Sequence, residues 1–308
     1  MPHRPTLAVA VSLALAVSAA LVTVPTAAAA PSPAKAYDFD GDGFPDLAVG
    51  APHLDVAGEE LAGGLALLKG SASGLGSTAQ LLTADSPGIV GAPHLEEMLG
   101  RSVASGDFDG DGYADLAVGR PVAYRPAEGA GAVAVLYGSA KGLTSARSLE
   151  LLSPGGPQFD SGFGQSLVAA DLDGDGRSDL AVGWGEYLSD GGSGTVVVFR
   201  GSASGLAQDR HVARHAQDSG ADGPDQDFGS ALAVGDLDAD GRPDLVVSSE
   251  RQGPDGSIGV VSACYGSSDG VTACSPLVVD ERLGSAFALA VGNVSGTSRP
   301  EVVAGVGR

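Results

Sequence analysis

The sequence predicts an all-β fold, a β-propeller of four-stranded antiparallel blades, and three observations carry that prediction. An acidic motif recurs as "DFDGDGFPDLAVGAP" from Asp38, "DFDGDGYADLAVGRP" from Asp107, "DLDGDGRSDLAVGW" from Asp171, "DLDADGRPDLVVSS" from Asp236 and an eroded "NVSGTSRPEVVAGV" from Asn293, at steps of 69, 64, 65 and 57 residues. A second marker keeps the same beat: "GSASGL" at Gly70, "GSAKGL" at Gly138, "GSASGL" at Gly201 and "GSSDGV" at Gly266. Between the markers lie short runs of strand composition set off by glycine turns, with no helical periodicity after residue 30. Units of this size stack so that neighbours cover one another's faces, and radial stacking leaves only short edges.

The chain opens with Arg4, an apolar run from Leu7 to Val24 and then "PTAAAAPSPA". Charged, apolar and small residues in that order are those of a secretory signal peptide, residues 1–30, with cleavage between Ala28 and Ala30. An uncleaved anchor is the alternative, because the run approaches the ~18 residues that suggest a transmembrane helix. No later apolar run is long enough to span a bilayer, so residues 31–308 are expected to be a secreted propeller. Three lysines, two isoleucines and one asparagine among abundant alanine and glycine match the codon usage of a GC-rich bacterial genome.

Within a unit, an alternating run ("LAVGD", "LVAAD") precedes the acidic loop and another ("DLAVG") follows it. A glycine-led apolar run ("GAVAVLYG", "GTVVVFRG"), the "GSxxGL" turn and a weaker fourth run ("SLELLS") complete the unit. Only Ala34–Tyr37 precede the first loop and Glu301–Arg308 follow the last. The expected order is therefore three strands, three full blades and two strands. An incomplete array of about five blades is favoured over a closed ring, in which "EVVAGV" would be an unpaired edge.

The full chain carries 38 acidic and 17 basic side chains, a net charge of −21. That excess argues against nucleic acid and anionic membrane as partners. The two cysteines, Cys264 and Cys274, flank "YGSSDGVTA" in a chain expected to be exported, which favours a disulfide across a hairpin over two buried thiols.

The acidic loops hold 16 of the 38 carboxylates. Their pattern, Asp-x-Asp-x-Asp-Gly-x-x-Asp, places carboxylates at positions 1, 3, 5 and 9, with the carbonyl of position 7 facing inward. The ligand sets so predicted are Asp38, Asp40, Asp42, Phe44 and Asp46; Asp107, Asp109, Asp111, Tyr113 and Asp115; Asp171, Asp173, Asp175, Arg177 and Asp179; and Asp236, Asp238, Asp240, Arg242 and Asp244. Hard oxygen donors at this density suit Ca²⁺, whereas Mg²⁺ demands octahedral geometry and retains its waters. Glycine at position 6 (Gly43, Gly112, Gly176, Gly241) suits a sharp turn. An EF-hand would place Glu at position 12, where this chain has Val49, Val118, Val182 and Val247. In the fifth loop Asn293, Ser295, Thr297 and Glu301 replace the four aspartates and Ser298 replaces the position-6 glycine, so four Ca²⁺ ions are expected and not five.

These units resemble FG-GAP repeats, the calcium-bearing blades of the integrin alpha-chain N-terminal propeller and of many secreted bacterial proteins. The residues that carry the resemblance are Phe163-Gly164 and Phe228-Gly229, the variants Leu99-Gly100 and Leu283-Gly284, the four aspartate loops, and "VGAP" from Val49, which becomes "VGRP" and "VGWG" later. The resemblance implies calcium in the inter-strand loop of each blade at the bottom of the propeller, in a structural and not a catalytic role. The family's closed rings commonly have seven blades, and this chain has five loops.

The serines of "GSASG" stand at the wrong positions for a nucleophile elbow, and His211 and His215 have the spacing of a zinc pair without its glutamate or an evident third ligand. The close carboxylate pairs, which glycoside hydrolysis would need, are committed to the metal loops. The reading is a secreted, calcium-dependent, non-catalytic binding or adhesion module for an extracellular protein or glycan. The alternative is a carbohydrate- or lipid-active hydrolase that uses the propeller as scaffold.

Overall fold

The computed structural model describes residues 34–306 except 88, 123–129, 155–161, 185–193, 216–224, 254–255, 281–286 and 297–299. The expected leader, residues 1–30, and the Leu283-Gly284 pair lie outside the described residues. Every regular element among the described residues is a strand, and no helix is long and apolar enough to cross a membrane.

Five antiparallel sheets follow one another along the chain. The first contains β1 (Leu47–Gly50), β2 (Leu65–Leu68) and β3 (Ala79–Leu82). The second runs β4 (Val103–Gly106), β5 (Asp115–Arg120), β6 (Ala132–Tyr137), β7 (Thr144–Leu151), and the third β8 (Ser166–Ala170), β9 (Asp179–Trp184), β10 (Thr195–Phe199), β11 (His211–His215). The fourth has a short β12 (Asp225–Gln226) and then β13 (Leu232–Gly235), β14 (Asp244–Gly253), β15 (Gly256–Ser267) and β16 (Gly270–Asp280). The fifth is the pair β17 (Phe287–Gly292) and β18 (Glu301–Val306). Three strands, three full blades and two strands is the order expected from the sequence.

The second and third blades each lie between two others, and this explains why "DLAVGR" and "DLAVGW" are buried along their whole length. A strand covered on both faces is apolar on both and loses its alternation. The core is correspondingly divided into four clusters, each joining consecutive blades. Ala48 and Leu65 meet Leu116, Val118 and Leu136; Ala117, Val133 and Val135 meet Leu180, Val182 and Phe199; Val196 and Val198 meet Leu245 and Val247; Val246 and Val261 meet Leu289, Val291 and Val302. The inner strands β4, β8, β13 and β17 contact one another in that order.

The residues quoted as family markers bind blade to blade. Leu99, Phe163 and Phe228 are fully buried between blades, and each bridges a glycine of the preceding one: Gly63, Gly131 and Gly194. The glycine that follows each marker turns the chain at φ +86°, +92° and +98°. Its carbonyl then presses on the preceding blade so closely that a Cβ on Gly50, Gly119 or Gly183 would lie 1.9, 2.1 or 2.2 Å from the oxygen of Gly100, Gly164 or Gly229. Both glycines are therefore required by one contact. Cys264 and Cys274 stand opposite one another in β15 and β16 and are joined by a disulfide, buried against the third blade.

Candidate metal centres

The acidic loops join the first strand of a blade to its second, β4 to β5, β8 to β9 and β13 to β14, and the loop from Asp38 leads directly into β1. Carboxylates wind each loop by accepting its amides. Asp107 Oδ1 accepts the amides of Gly110 (2.7 Å) and Asp111 (3.1 Å), and its Oδ2 accepts that of Gly112 (3.1 Å). Asp171 accepts those of Gly174, Asp175 and Gly176 in the same way. At position 5, Asp42, Asp111, Asp175 and Asp240 each accept the amide two residues on. Such local side chain to backbone bonds favour a turn over a strand or helix.

The position-9 aspartate is a pin between two motifs. Asp115 accepts the amides of Phe108 (2.8 Å) and Gly138 (2.8 Å), so it ties its own loop to the glycine of the "GSAKGL" turn. Asp46, Asp179 and Asp244 do the same with Phe39 and Gly70, Leu172 and Gly201, and Leu237 and Gly266. Two sequence markers that share a phase are thus halves of one structure. Burial is the main reason that the Asp115 carboxyl is pushed up to about 8 and Asp179 to about 7; the two amides oppose this, and neighbouring aspartates add to it.

The loops gather three of their four predicted aspartates at a time. Ligand atoms of Asp38, Asp40 and Asp42 lie within 4.8 Å of one another, as do those of Asp107, Asp109 and Asp115, of Asp171, Asp173 and Asp175, and of Asp236, Asp238 and Asp244. Asp38 is 5% exposed, and its Oδ1 is buried without a hydrogen-bond partner. An unpaired buried carboxylate oxygen is costly unless a cation meets it. Carboxylate donors of this hardness and number fit Ca²⁺.

Three contacts were not legible in the sequence. Basic side chains just past β2 and β10 and within β7 reach the position-3 aspartates: Lys69 meets Asp40, Arg147 meets Asp109 at 2.7 Å, and Arg200 Nε meets Asp173 at 2.9 Å. Arg147 also lies over the Tyr137 ring, 4.6 Å from its centroid. Secondly, the loops stack. Tyr113, Arg177 and Arg242, chosen for their carbonyls, lay their side chains over Gly41, Gly110 and Gly174 of the preceding loop. A Cβ at position 4 would lie 2.7 Å from Tyr113 at Gly41, 3.1 Å from Arg177 at Gly110 and 3.4 Å from Arg242 at Gly174, and the position takes positive φ, +69°, +72° and +76°, with Ala239 at +66° the non-glycine exception. Thirdly, a backbone bond passes from loop to loop: the Ala114 amide donates to the Asp38 carbonyl (3.0 Å) and the Ser178 amide to the Asp107 carbonyl (2.8 Å). The corresponding residues of the fourth and fifth loops are Pro243 and Pro300, which have no amide hydrogen.

The fifth loop keeps the bond from position 9 to its own loop without the aspartates. Glu301 Oε2 accepts the Val294 amide (2.8 Å), Ser295 meets the same carboxylate, and Asn293 Oδ1 accepts the Gly296 amide (2.7 Å). His211 and His215 are strand residues, with Nδ1 3.0 Å from the Gln208 carbonyl and from Thr195 Oγ1 respectively.

A family model described as FG-GAP repeat matches residues 29–66, 99–136, 163–199 and 228–262. The chain carries four FG-GAP repeats. Each matched segment from the second onward starts at or next to a blade-joining marker, Leu99, Phe163 or Phe228, and each of the four includes one acidic loop and its following strand. Phosphatidylinositol-glycan-specific phospholipase D of Rattus norvegicus is 34% identical over 177 residues, 54% of this chain and 20% of that protein. Integrin alpha-IIb of Homo sapiens is 34% identical over 201 residues, 61% of this chain and 18% of that protein. The FG-GAP chain thus spans about a fifth of the length of these relatives. A solved structure of rhamnogalacturonan lyase YesW, 18% identical, superposes on 89% of this chain and 46% of that chain with a TM-score of 0.48.

Proposed function

We propose that this chain is a secreted, calcium-binding FG-GAP module that binds an extracellular protein or glycan and carries out no catalysis itself. The observation that supports it best is the buried Asp38 Oδ1, which lacks a partner at the centre of an acidic loop repeated in three further blades. The aspartates at positions 1, 3, 5 and 9 of each loop, together with the carbonyls of Phe44, Tyr113, Arg177 and Arg242, would hold the ion. A bound Ca²⁺ supplies charge compensation that lets the loops close. The buried disulfide is in keeping with an oxidising compartment.

An ion bound only by the folded state stabilises it by mass action. The melting temperature is expected to rise clearly from EDTA to millimolar Ca²⁺ and much less with Mg²⁺, and calorimetric titration of decalcified protein should count four ions. An unchanged melt would overturn the calcium reading, and five equivalent sites would show that ligand charge does not set occupancy. A glycan array and a hydrolase panel, each with and without EDTA, test the rest: turnover of a glycan or lipid substrate would establish the hydrolase reading instead.

A further inference from the structure

Blades two, three and four each bury a Leu-x-Val pair of their second strand under the preceding blade. Leu116 and Val118 are 0% and 2% exposed, and Leu180, Val182, Leu245 and Val247 are all 0%. In the first blade the same two positions, Leu47 and Val49, are 39% and 44% exposed. The strand register puts Leu68 beside Leu47 and Ala66 beside Val49, and Leu81, 54% exposed, beside Ala66. This is an uncharged, apolar sheet face whose counterpart in three other blades is interior.

The opposite defect occurs at the other end. Ala117, Ala181 and Val246 are each 0% exposed because the following blade covers them. Val303, at the same place in the fifth blade, is 43% exposed, and Ala290 opposite it and Ala288 beyond are exposed as well. In the first three seams aliphatic side chains of one blade receive the Leu-x-Val pair of the next, and in the fourth Val246 and Val261 receive Val302 and Ala304 in the same way. The two uncovered faces have those two chemistries. The described core clusters join blades one to two, two to three, three to four and four to five, and none of them joins five to one.

We propose that the two faces are halves of one intermolecular interface, in which the β17–β18 face of one copy packs on the β1–β3 face of a second copy as successive blades pack within the chain. Such an interface is heterologous, so it closes into a ring or extends head to tail. Its drive is the burial of apolar faces that monomeric proteins rarely leave contiguous and open.

The test is the mass of the full chain in solution by sedimentation velocity and light scattering across a concentration series. The wild type should pass from one chain to two or more as concentration rises. Val49→Glu and Val303→Glu each place a charge in one half of the interface at a surface position, and each should abolish association while leaving the melting temperature within a degree or two. Mixed together, the two variants retain one intact face of each kind. The mixture should therefore regain pairs of two chains and grow no further. A wild type that stays monomeric at every concentration would overturn the proposal, whether its faces are then closed on one another or left open. Association that survives both substitutions, or variants that fail to pair when mixed, would overturn it equally. Leu81→Glu, at a still more exposed site, gives the same reading if Val49→Glu does not fold.

Discussion

At the scale of single residues, the acidic loops set a desolvation cost against the geometry they impose. Asp115 is pinned by two amides in a site where burial raises its folded-state pKa from the ordinary 3.8 to about 8. The unfolded chain then releases that proton first, so this group's contribution is intact below about pH 4 and is lost as pH rises towards 8. In EDTA, the wild type should lose melting temperature over that interval. Asp115→Asn removes the titrating group and should flatten the slope, whatever its offset; parallel slopes would mean that Asp115 ionises as an ordinary carboxylate. Ala239 offers a second residue-scale test. It holds positive φ where the other intact loops have glycine. Relief of that conformation is worth about 1 kcal/mol, part of which the looser unfolded chain takes back. Ala239→Gly should raise the urea midpoint, and a lower midpoint would show that the alanine methyl makes a contact worth more than its strain.

At the scale of elements, the strand order and the acidic loops were legible because both are periodic, and a period is visible without knowing what neighbours it. What was illegible is what one repeat does to the next. Nothing in "VGAP" says that its glycine is kept small by the carbonyl of Gly100, a contact fifty residues away in sequence. Nor does Tyr113 announce that its ring covers Gly41, or Arg200 that it reaches Asp173, since these pairings exist only once the blades are stacked. The marker residues nonetheless pointed to the right places, because a constraint that recurs in space also recurs in sequence. Gly119→Ala tests this directly. The added carbon would lie 2.1 Å from the Gly164 oxygen and 2.2 Å from Ser102 Oγ. The substitution should cost about 3 kcal/mol, the upper end of overpacking effects. Gly292→Ala, with open space around its position, is the control and should melt as the wild type does.

At the scale of the whole molecule, the array is held by a repeated seam: an apolar cluster, in the first three seams a marker residue and a glycine contact, and in the first two an amide bond from loop to loop. The seams are therefore unequal. Ala114 and Ser178 each donate an amide to the loop before, whereas Pro243 and Pro300 have none to give. Under tension applied through the two ends, a seam with the loop-to-loop backbone link resists sliding along the loops, while one without it lacks that tie, the third seam keeping the Gly194–Phe228 bridge away from the loops. In a pulling experiment at constant speed, the molecule should yield in two stages, the fourth and fifth blades separating at lower force and the first three holding together longer. Ser178→Pro would extend the weakness by one seam and should lower the second force peak. The proline at position eight, unremarkable as a turn residue, thus decides where the protein gives way when it is stretched.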